Sequence, residues 1–228
     1  AIALRPNYAD ALHNRSDTLM RLNRFDEALM TYDRIIVLTP GDASTFNNRG
    51  NALRALRRPN EALGSYDEAI SLNPDYAEAF NNRGSALTEL RRLEEAVASF
   101  DKAIAVKPDY LEAIVSRGHA LRMLGRPADA LICYDRAIEI EPGDAGVFAH
   151  RGLALRLLGR TAEAFASYDK AFSLKRGQKY VEGDRLHAKL QLCDWSNYAA
   201  ECSHLLYAVE RGGAACGVRK RGGWGRVV

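Results

Sequence analysis

The sequence contains no run of about 18 apolar residues, the length that a transmembrane helix requires. We therefore predict no contact with a membrane. Histidine and cysteine are scarce, with 5 and 4 residues among 228. The histidines form no His-x-x-x-His pair, and Cys202 and His204 lack a second ligand pair at zinc spacing, so we expect no metal site. The cysteines show no paired spacing, which indicates a reducing compartment, the cytoplasm; they are Cys133, Cys193, Cys202 and Cys216.

Catalytic motifs are missing as well. The chain has no glycine-rich phosphate loop, no dinucleotide-binding glycine motif and no grouping of Ser, His and Asp that resembles a triad. Its acidic residues recur at a fixed spacing, which favours a solvated, charge-paired helix face over an acid–base pair. We therefore expect neither an enzyme nor a cofactor within this chain.

The net charge of +3 comes from one end of the sequence. Residues 211–228 hold five basic side chains and no acidic one, which leaves about −2 for the rest and predicts no nucleic-acid-binding surface there. Two interpretations of the segment stay open. It is either a disordered or non-native end, or an Arg/Gly-rich tail that binds RNA with Trp224 stacked on a base.

Four ladders of residues repeat every 34 positions. The first is proline, the second alanine, the third aromatic and the fourth arginine, and each arginine is followed by glycine except the first, which precedes Ser16. Four ladders in register establish a repeat protein. The members are Pro6, Pro40, Pro74, Pro108 and Pro142; Ala28, Ala62, Ala96, Ala130 and Ala164; Tyr32, Tyr66, Phe100, Tyr134 and Tyr168; Arg15, Arg49, Arg83, Arg117 and Arg151.

Each ladder predicts a feature of a helix pair. Proline ends the second helix of a repeat, and Pro59 and Pro127 suit the first position of a second helix. Glycine inside the first helix costs about 1 kcal/mol relative to alanine, which predicts a close approach of two helix backbones. Asp75 with Glu78, and Asp109 with Glu112, have the spacing of a capping box.

The pattern predicts five complete repeats of two helices each, at 9–42, 43–76, 77–110, 111–144 and 145–178. Stacked pairs bury a continuous core that one pair cannot form, and no segment alternates like a strand. We interpret residues 1–8 as the remnant of a preceding repeat. Residues 179–210 are predicted to be capping or junction helices, with Asp194 or Ser196 as a helix cap.

The sixth position of each repeat is Asn14, Asn48, Asn82, Ser116 and His150, with Asn47, Asn51 and Asn81 close by. Asparagine is a poor helix former, so its recurrence calls for a reason. An amide can pair with both backbone groups of an extended peptide, which makes these eight residues the candidate peptide-binding set. The alternative is that these amides cap helices or bridge neighbouring ones.

The spacing and residue types of the ladders resemble the tetratricopeptide repeat family over about residues 1–178. That resemblance implies an all-α, right-handed superhelix whose first helices line a concave groove. The residues that would form a carboxylate clamp in this family carry no cation, which argues against binding of a C-terminal carboxylate; they are Asn47, Asn51, Asn82, Glu112 and Ser116.

The Asn-Asn-Arg-Gly repeats, followed by a helix that ends in Cys193-Asp194-Trp195-Ser196, resemble the junction of the O-linked N-acetylglucosamine transferase (SPINDLY-like) family. This resemblance implies a substrate-recognition arm of a larger glycosyltransferase. Asn14, Asn48 and Asn82 match the asparagine ladder of that family, whereas Ser116 and His150 depart from it.

The predicted function is therefore to bind a protein or peptide partner. Two hypotheses stay open: the recognition arm of a protein O-glycosyltransferase, or a free-standing scaffold that recruits a partner. Because apolar side chains at the open N-terminal end of the array lack a covering helix, we also expect self-association.

Overall fold

The computed structural model describes residues 8–175, 179–197, 199–203 and 206. These residues contain no strand, and the predicted all-α class built of consecutive helix pairs is confirmed. The predicted remnant and tail lie outside the described residues, apart from Tyr8. Among the described residues, the helices with defined bounds are α1 (Tyr8–Arg21), α2 (Phe25–Leu38), α3 (Ala43–Ala55), α4 (Pro59–Leu72), α5 (Ala77–Glu89), α6 (Leu93–Val106), α7 (Leu111–Met123), α8 (Pro127–Ile140), α9 (Ala145–Leu157), α10 (Thr161–Leu174) and α11 (Lys179–Gln191). Residues 199–203 are helical as well.

The helices form two compact units, residues 1–133 and 134–228, and α8 crosses the boundary in sequence. In the first unit α1 packs on α2, α3 on α4 and α5 on α6, while each second helix also packs on the first helix of the next pair. In the second unit α10 packs against both α9 and α11. Neighbouring first helices also touch directly, since α3 contacts α5 and α5 contacts α7.

The residue at a given repeat position determines how each helix begins. Pro59 and Pro127 are the first residues of α4 and α8, as predicted. The predicted capping boxes are wrong, because the cap position falls one residue later than Asp75 and Asp109. It holds Tyr76 and Tyr110 before α5 and α7, and neither side chain makes a capping hydrogen bond.

Aspartate at the equivalent cap position does cap its helix. Asp42 accepts a hydrogen bond from the Ser44 N–H before α3, and Asp144 does the same for Gly146 before α9. The capping function therefore follows the residue type at one fixed repeat position rather than the Asp–Glu spacing.

Each first helix ends in a residue with a left-handed backbone. Around Arg57 the Arg58 N–H donates to the Leu53 carbonyl at 2.9 Å and the Arg57 N–H donates to Arg54, which is a Schellman motif. The left-handed residues recur every 34 positions although their side chains differ: Asn23, Arg57, Arg91, Gly125, Gly159 and Cys193.

The glycine in the first helix makes room for an aromatic ring. A Cβ on Gly84 would lie 2.7 Å from a ring carbon of Phe100, and one on Gly152 would lie 2.7 Å from Tyr168. A close approach at this glycine was predicted correctly, but the predicted neighbour was wrong. The aromatic ring, and not the backbone of the second helix, fills the space. These rings and the alanine ladder are buried and form the core of each pair.

The arginine ladder ties successive pairs together. Arg83 pairs with Asp67 of the preceding second helix at 2.7 Å and donates to Ser99 of its own second helix at 2.6 Å. Arg49, with Asp33 and Ser65, repeats this arrangement. Arg49 and Arg83 therefore each join the second helices of two successive repeats.

The predicted capping segment begins with a helix that follows the same rules. In α11 Arg185 pairs with Asp169 at 2.7 Å and with Glu201 at 3.4 Å. Lys189 stands 34 residues after the core residue Leu155 and is 4% exposed. Its ammonium donates to Glu201 at 3.1 Å and to the Ser196 carbonyl, which offsets the cost of burying the charge.

Candidate functional site

Two adjoining depressions lie on the first helices of the first unit. One has a volume of about 460 Å³ and is lined by residues of α1 and α3, together with Tyr32. The other, of about 260 Å³, lies between α3 and α5. Asn51 lines both, so they form one continuous surface, called the groove below. Its lining residues are Asp17, Met20, Arg21, Tyr32, Asn48, Asn51, Arg54, Ala55 and Glu89.

The groove floor is held by a network around Tyr66. The Tyr66 hydroxyl donates to Asn51 Oδ1 at 2.8 Å. Burial raises the pKa of this phenol to about 12, against the opposing effect of nearby Arg54. Because Oδ1 is occupied, the Asn51 side chain is fixed and presents its NH₂ group as the remaining polar function.

Arg54 and Glu89 connect two first helices across the second depression. The guanidinium Nε of Arg54 lies 3.0 Å from Glu89 Oε1. Although burial lowers the pKa of Arg54, its interactions with Tyr66 and Glu89 outweigh that effect and raise it. The second depression thus offers one amide, one guanidinium and one carboxylate, from Asn51, Arg54 and Glu89.

Two of the predicted groove residues are buried instead. Asn47 is 0% exposed and Asn81 is 1% exposed, so the prediction that they face a peptide is wrong. They lie between neighbouring first helices, where Asn82 Nδ2 donates to Asn47 Oδ1 at 2.9 Å. For Asn47 and Asn82 the bridging alternative describes the arrangement in the structure.

The remaining predicted residues occupy different places. Asn48 and Asn51 line the groove, and Asn14 is exposed on α1. Asn82 and Ser116 are half-buried on α5 and α7. His150 lies in the second unit, where its ring stacks on Tyr134 with centroids 5.9 Å apart.

Sequence reasoning missed the side chains that flank the amides. Asp17, Met20 and Arg21 line the first depression, while Arg54 and Glu89 line the second. One signal was available: arginine recurs at Arg54, Arg122 and Arg156, in the last turn of the first helix.

Phenols and carboxylates alternate at the N-terminal ends of α3, α5 and α7. Burial and the carboxylates of Glu112 and Glu78 raise the pKa of Tyr110 to about 12. Burial, together with Glu78 and Asp42, also raises the pKa of Tyr76. Asp42, Tyr76, Glu78, Tyr110 and Glu112 all stand at the N-terminal ends of α3, α5 and α7, which are together called the rim below.

Asp42 is the first member of the rim. Burial raises its pKa, but hydrogen bonds from Thr45 and Ser44 outweigh this effect and lower it. The His13 imidazole lies 3.5 Å from the same carboxylate. Asp42 is therefore charged at neutral pH.

Neither a metal site nor a membrane span occurs in the described part of the chain. None of its helices has the length and apolar character needed to cross a bilayer. Among the same residues, no three His, Cys, Asp or Glu side chains are grouped so that they could hold a metal ion.

Comparison with solved structures shows similarity to several repeat proteins. A structure of MamA is 26% identical, with 70% of this chain and 93% of that chain covered and a TM-score of 0.66. The structure from work on pilF of Pseudomonas aeruginosa is 16% identical, with coverage of 90% and 93% and a TM-score of 0.77. YrrB, described as a TPR protein with an unusual peptide-binding site, is 23% identical, with coverage of 77% and 89% and a TM-score of 0.64.

Comparison with curated proteins gives no match, and the resemblance to the glycosyltransferase junction receives no support from the comparisons. Models described as tetratricopeptide repeat match residues 9–42, 47–110, 111–144 and 145–178. Together these matches cover well over half of the sequence and agree with the helix pairs and ladders. The chain belongs to the tetratricopeptide repeat family.

Proposed function

We propose that the groove of the first unit binds an extended segment of a partner protein. The observation that carries this proposal is the continuous surface across α1, α3 and α5, in which Asn48 and Asn51 stand beside Arg54 and Glu89. Amide, guanidinium and carboxylate groups together can pair with both the N–H and the C=O groups of a peptide backbone. The family mediates protein–protein interactions, which supports this use of the surface.

The magnitudes indicate a weak, distributed interaction. Two amides that make two hydrogen bonds each contribute about 2–6 kcal/mol. Association with a partner costs about 4–15 kcal/mol in lost translational and rotational freedom. The groove amides alone therefore do not hold a ligand, and contacts elsewhere along the segment must add to them.

Asn48→Ala tests the proposal. We expect it to weaken the binding of labelled peptides, measured by fluorescence anisotropy, by about three- to tenfold for the loss of one or two hydrogen bonds. Asn60→Ala is the matched control, since Asn60 is exposed on the second helix α4. Equal binding by both variants would rule out this groove as the site.

Two settings for this binding function remain as proposals. A free-standing scaffold needs nothing beyond the groove. The recognition arm of a glycosyltransferase depends on the Cys193–Ser196 segment, which forms a turn after α11 in which the Ser196 N–H donates to Asp194 Oδ1 at 2.9 Å. To separate these settings, a sugar nucleotide is titrated into the gene product that extends beyond this segment. Only the glycosyltransferase setting predicts that the nucleotide binds.

A further inference from the structure

We propose that the partner segment is acidic, and that arginines at one repeat position bind its carboxylates: Arg122 in the first unit and, independently, Arg156 in the second. This inference rests on the proposed function and names the chemical class of its ligand. It depends on three observations: an ion pair inside the groove that shows the geometry, a guanidinium at the equivalent position that has no acceptor, and a second such guanidinium in the other unit.

The groove already holds one carboxylate against an arginine. Arg54 Nε lies 3.0 Å from Oε1 of Glu89, which belongs to the next first helix. The Arg54 guanidinium also interacts with the Tyr66 phenol of its own repeat. The chain itself therefore shows what a guanidinium at this repeat position binds: the carboxylate of a side chain that reaches it across the first helices.

Arg122 occupies the position of Arg54 two repeats later, in the last turn of α7. The counterpart of Glu89 is missing, because the residue 35 positions after Arg122 is Leu157, whereas Glu89 stands 35 positions after Arg54. Arg122 Nε is shielded from solvent and meets no acceptor, and within the part of the chain that the structure describes this arginine has no ion-pair partner. A charged donor left without an acceptor is costly, so a carboxylate from a ligand gains by supplying one.

The terminal nitrogens of Arg122 are open to such a ligand. The side chain is half-buried, and of its three nitrogens only Nε is both enclosed and without an acceptor. A carboxylate can bind two N–H groups of one guanidinium at once. Helix α7 contacts α5, which lines the groove through Glu89. It is therefore the next first helix that a segment leaving the groove over α5 would reach.

Arg156 repeats this arrangement within the second unit. It stands in the last turn of α9, and its Nε is likewise shielded from solvent without an acceptor. The residue 35 positions on is Gln191, which has no carboxylate. The lack of an internal partner therefore recurs at one repeat position and is not an irregularity of one helix. This position also differs from those of the carboxylate clamp, which carry no cation in this chain.

The alternative role of these arginines is to cover the aromatic core of their own repeats with the aliphatic part of the side chain. That role predicts a contribution to stability but no preference for the charge of a ligand. The two roles are therefore separated by binding measurements and not by unfolding.

The test uses three labelled peptides of glycine and serine that carry glutamate, glutamine or lysine at regular intervals. Fluorescence anisotropy with the full chain at low salt is expected to give about fivefold tighter binding of the glutamate peptide than of the glutamine peptide, the upper value for an exposed ion pair. Added salt should reduce this difference through screening. A lysine peptide that binds most tightly contradicts the inference.

Arg122→Gln with Arg156→Gln is expected to bring the affinity for the glutamate peptide down to that for the glutamine peptide. The control Lys102→Gln with Lys170→Gln removes the same charge, one in each unit, from exposed positions on the second helices α6 and α10. An equal loss in the control, or no loss in the arginine variant, overturns the inference.

Glu89→Gln tests the repeat position by a gain. It frees Arg54 from its internal carboxylate and is expected to tighten binding of the glutamate peptide up to about fivefold. The control Glu94→Gln removes the same charge from an exposed position on α6. No gain, or the same gain in both variants, contradicts the assignment of this position.

The peptides also separate this inference from the proposed function. If all three bind equally and Asn48→Ala weakens them all, the proposed function stands and the acidic preference is wrong. If none binds, both are wrong.

Discussion

At the scale of single residues, Cys133 is the exception in a ladder of hydroxyl groups. The Arg117 guanidinium donates to Cys133 Sγ at 3.0 Å, whereas the equivalent arginines donate to Ser65, Ser99 and Ser167. Burial raises the pKa of the Cys133 thiol, so it stays protonated at neutral pH. Sulfur is the weaker acceptor, and serine in its place should accept the same bond.

We expect Cys133→Ala to lower the free energy of unfolding by about 1–3 kcal/mol, because it leaves a part-buried guanidinium donor without this acceptor. Cys133→Ser restores an acceptor and should remain within about 1 kcal/mol of the parent. Urea unfolding of the two variants measures the difference. If serine and alanine destabilise equally, the sulfur contributes packing alone.

Ionisation of Tyr66 is expected to make the free energy of unfolding depend on pH in the alkaline range. Burial raises the pKa of the folded Tyr66 phenol to about 12, above the ordinary tyrosine value of 10.0. Because the folded value is the raised one, the stabilisation is fully present below pH 10 and is lost as the pH rises through 12. Tyr66→Phe should flatten this part of the stability–pH curve, measured by urea denaturation at a series of alkaline pH values.

At the scale of helices and turns, the left-handed residue that ends each first helix is the feature to test. Gly125 and Gly159 have φ of 73°, a conformation that costs about 1–2 kcal/mol for a residue with a Cβ. Gly125→Ala is therefore expected to lower the free energy of unfolding by about that amount, measured by urea denaturation. Gly143→Ala is the control, since its φ is not positive and a Cβ there meets nothing within 4 Å.

The 34-residue ladders made the helices predictable, but not the left-handed turn that ends each first helix. Proline, alanine and aromatic ladders indicate where helices end and pack because each requires one residue type. The left-handed turn requires a backbone conformation instead, and Asn23, Arg57 and Cys193 adopt it with unrelated side chains. No residue ladder marks that position, so sequence reasoning did not find it.

The candidate site was predictable only in part for a similar reason. Asn47 and Asn48 are neighbours in sequence, yet one is buried and the other lines the groove. Adjacent residues on a helix point about 100° apart, so the face that meets the next first helix decides which amide is exposed. The recurrence of asparagine in the sequence does not by itself show which of the two amides faces the next first helix.

At the scale of the whole molecule, a first-helix arginine paired with an aspartate of the preceding second helix joins successive repeats. The proposed surface for a partner lies on the first helices alone, apart from Tyr32. The arginine–aspartate pairs are individually weak because they are partly exposed. Their value lies in repetition, since each one fixes the register of one pair against the next. This division leaves the second helices free to vary in their solvent-facing residues, and α2 shows such a variation.

Helix α2 exposes two large apolar side chains on one face. Met30 is 67% exposed and Val37 is 82% exposed, and seven residues place them on one helix face. The other second helices carry no such pair: the equivalents of Val37 are Ser71, Ala105, Glu139 and Ser173. Exposed apolar patches favour association, so we expect the chain to self-associate through this face as its concentration rises.

Static light scattering measures that association. Met30→Gln with Val37→Gln should reduce the mass observed at high concentration, because it removes most of the exposed apolar area on α2. Ile132→Gln is the control, since Ile132 is 67% exposed on α8 without an apolar neighbour at the second position. A parent chain that stays monomeric at every concentration, or a control that acts as strongly as the double variant, would remove α2 as the association surface.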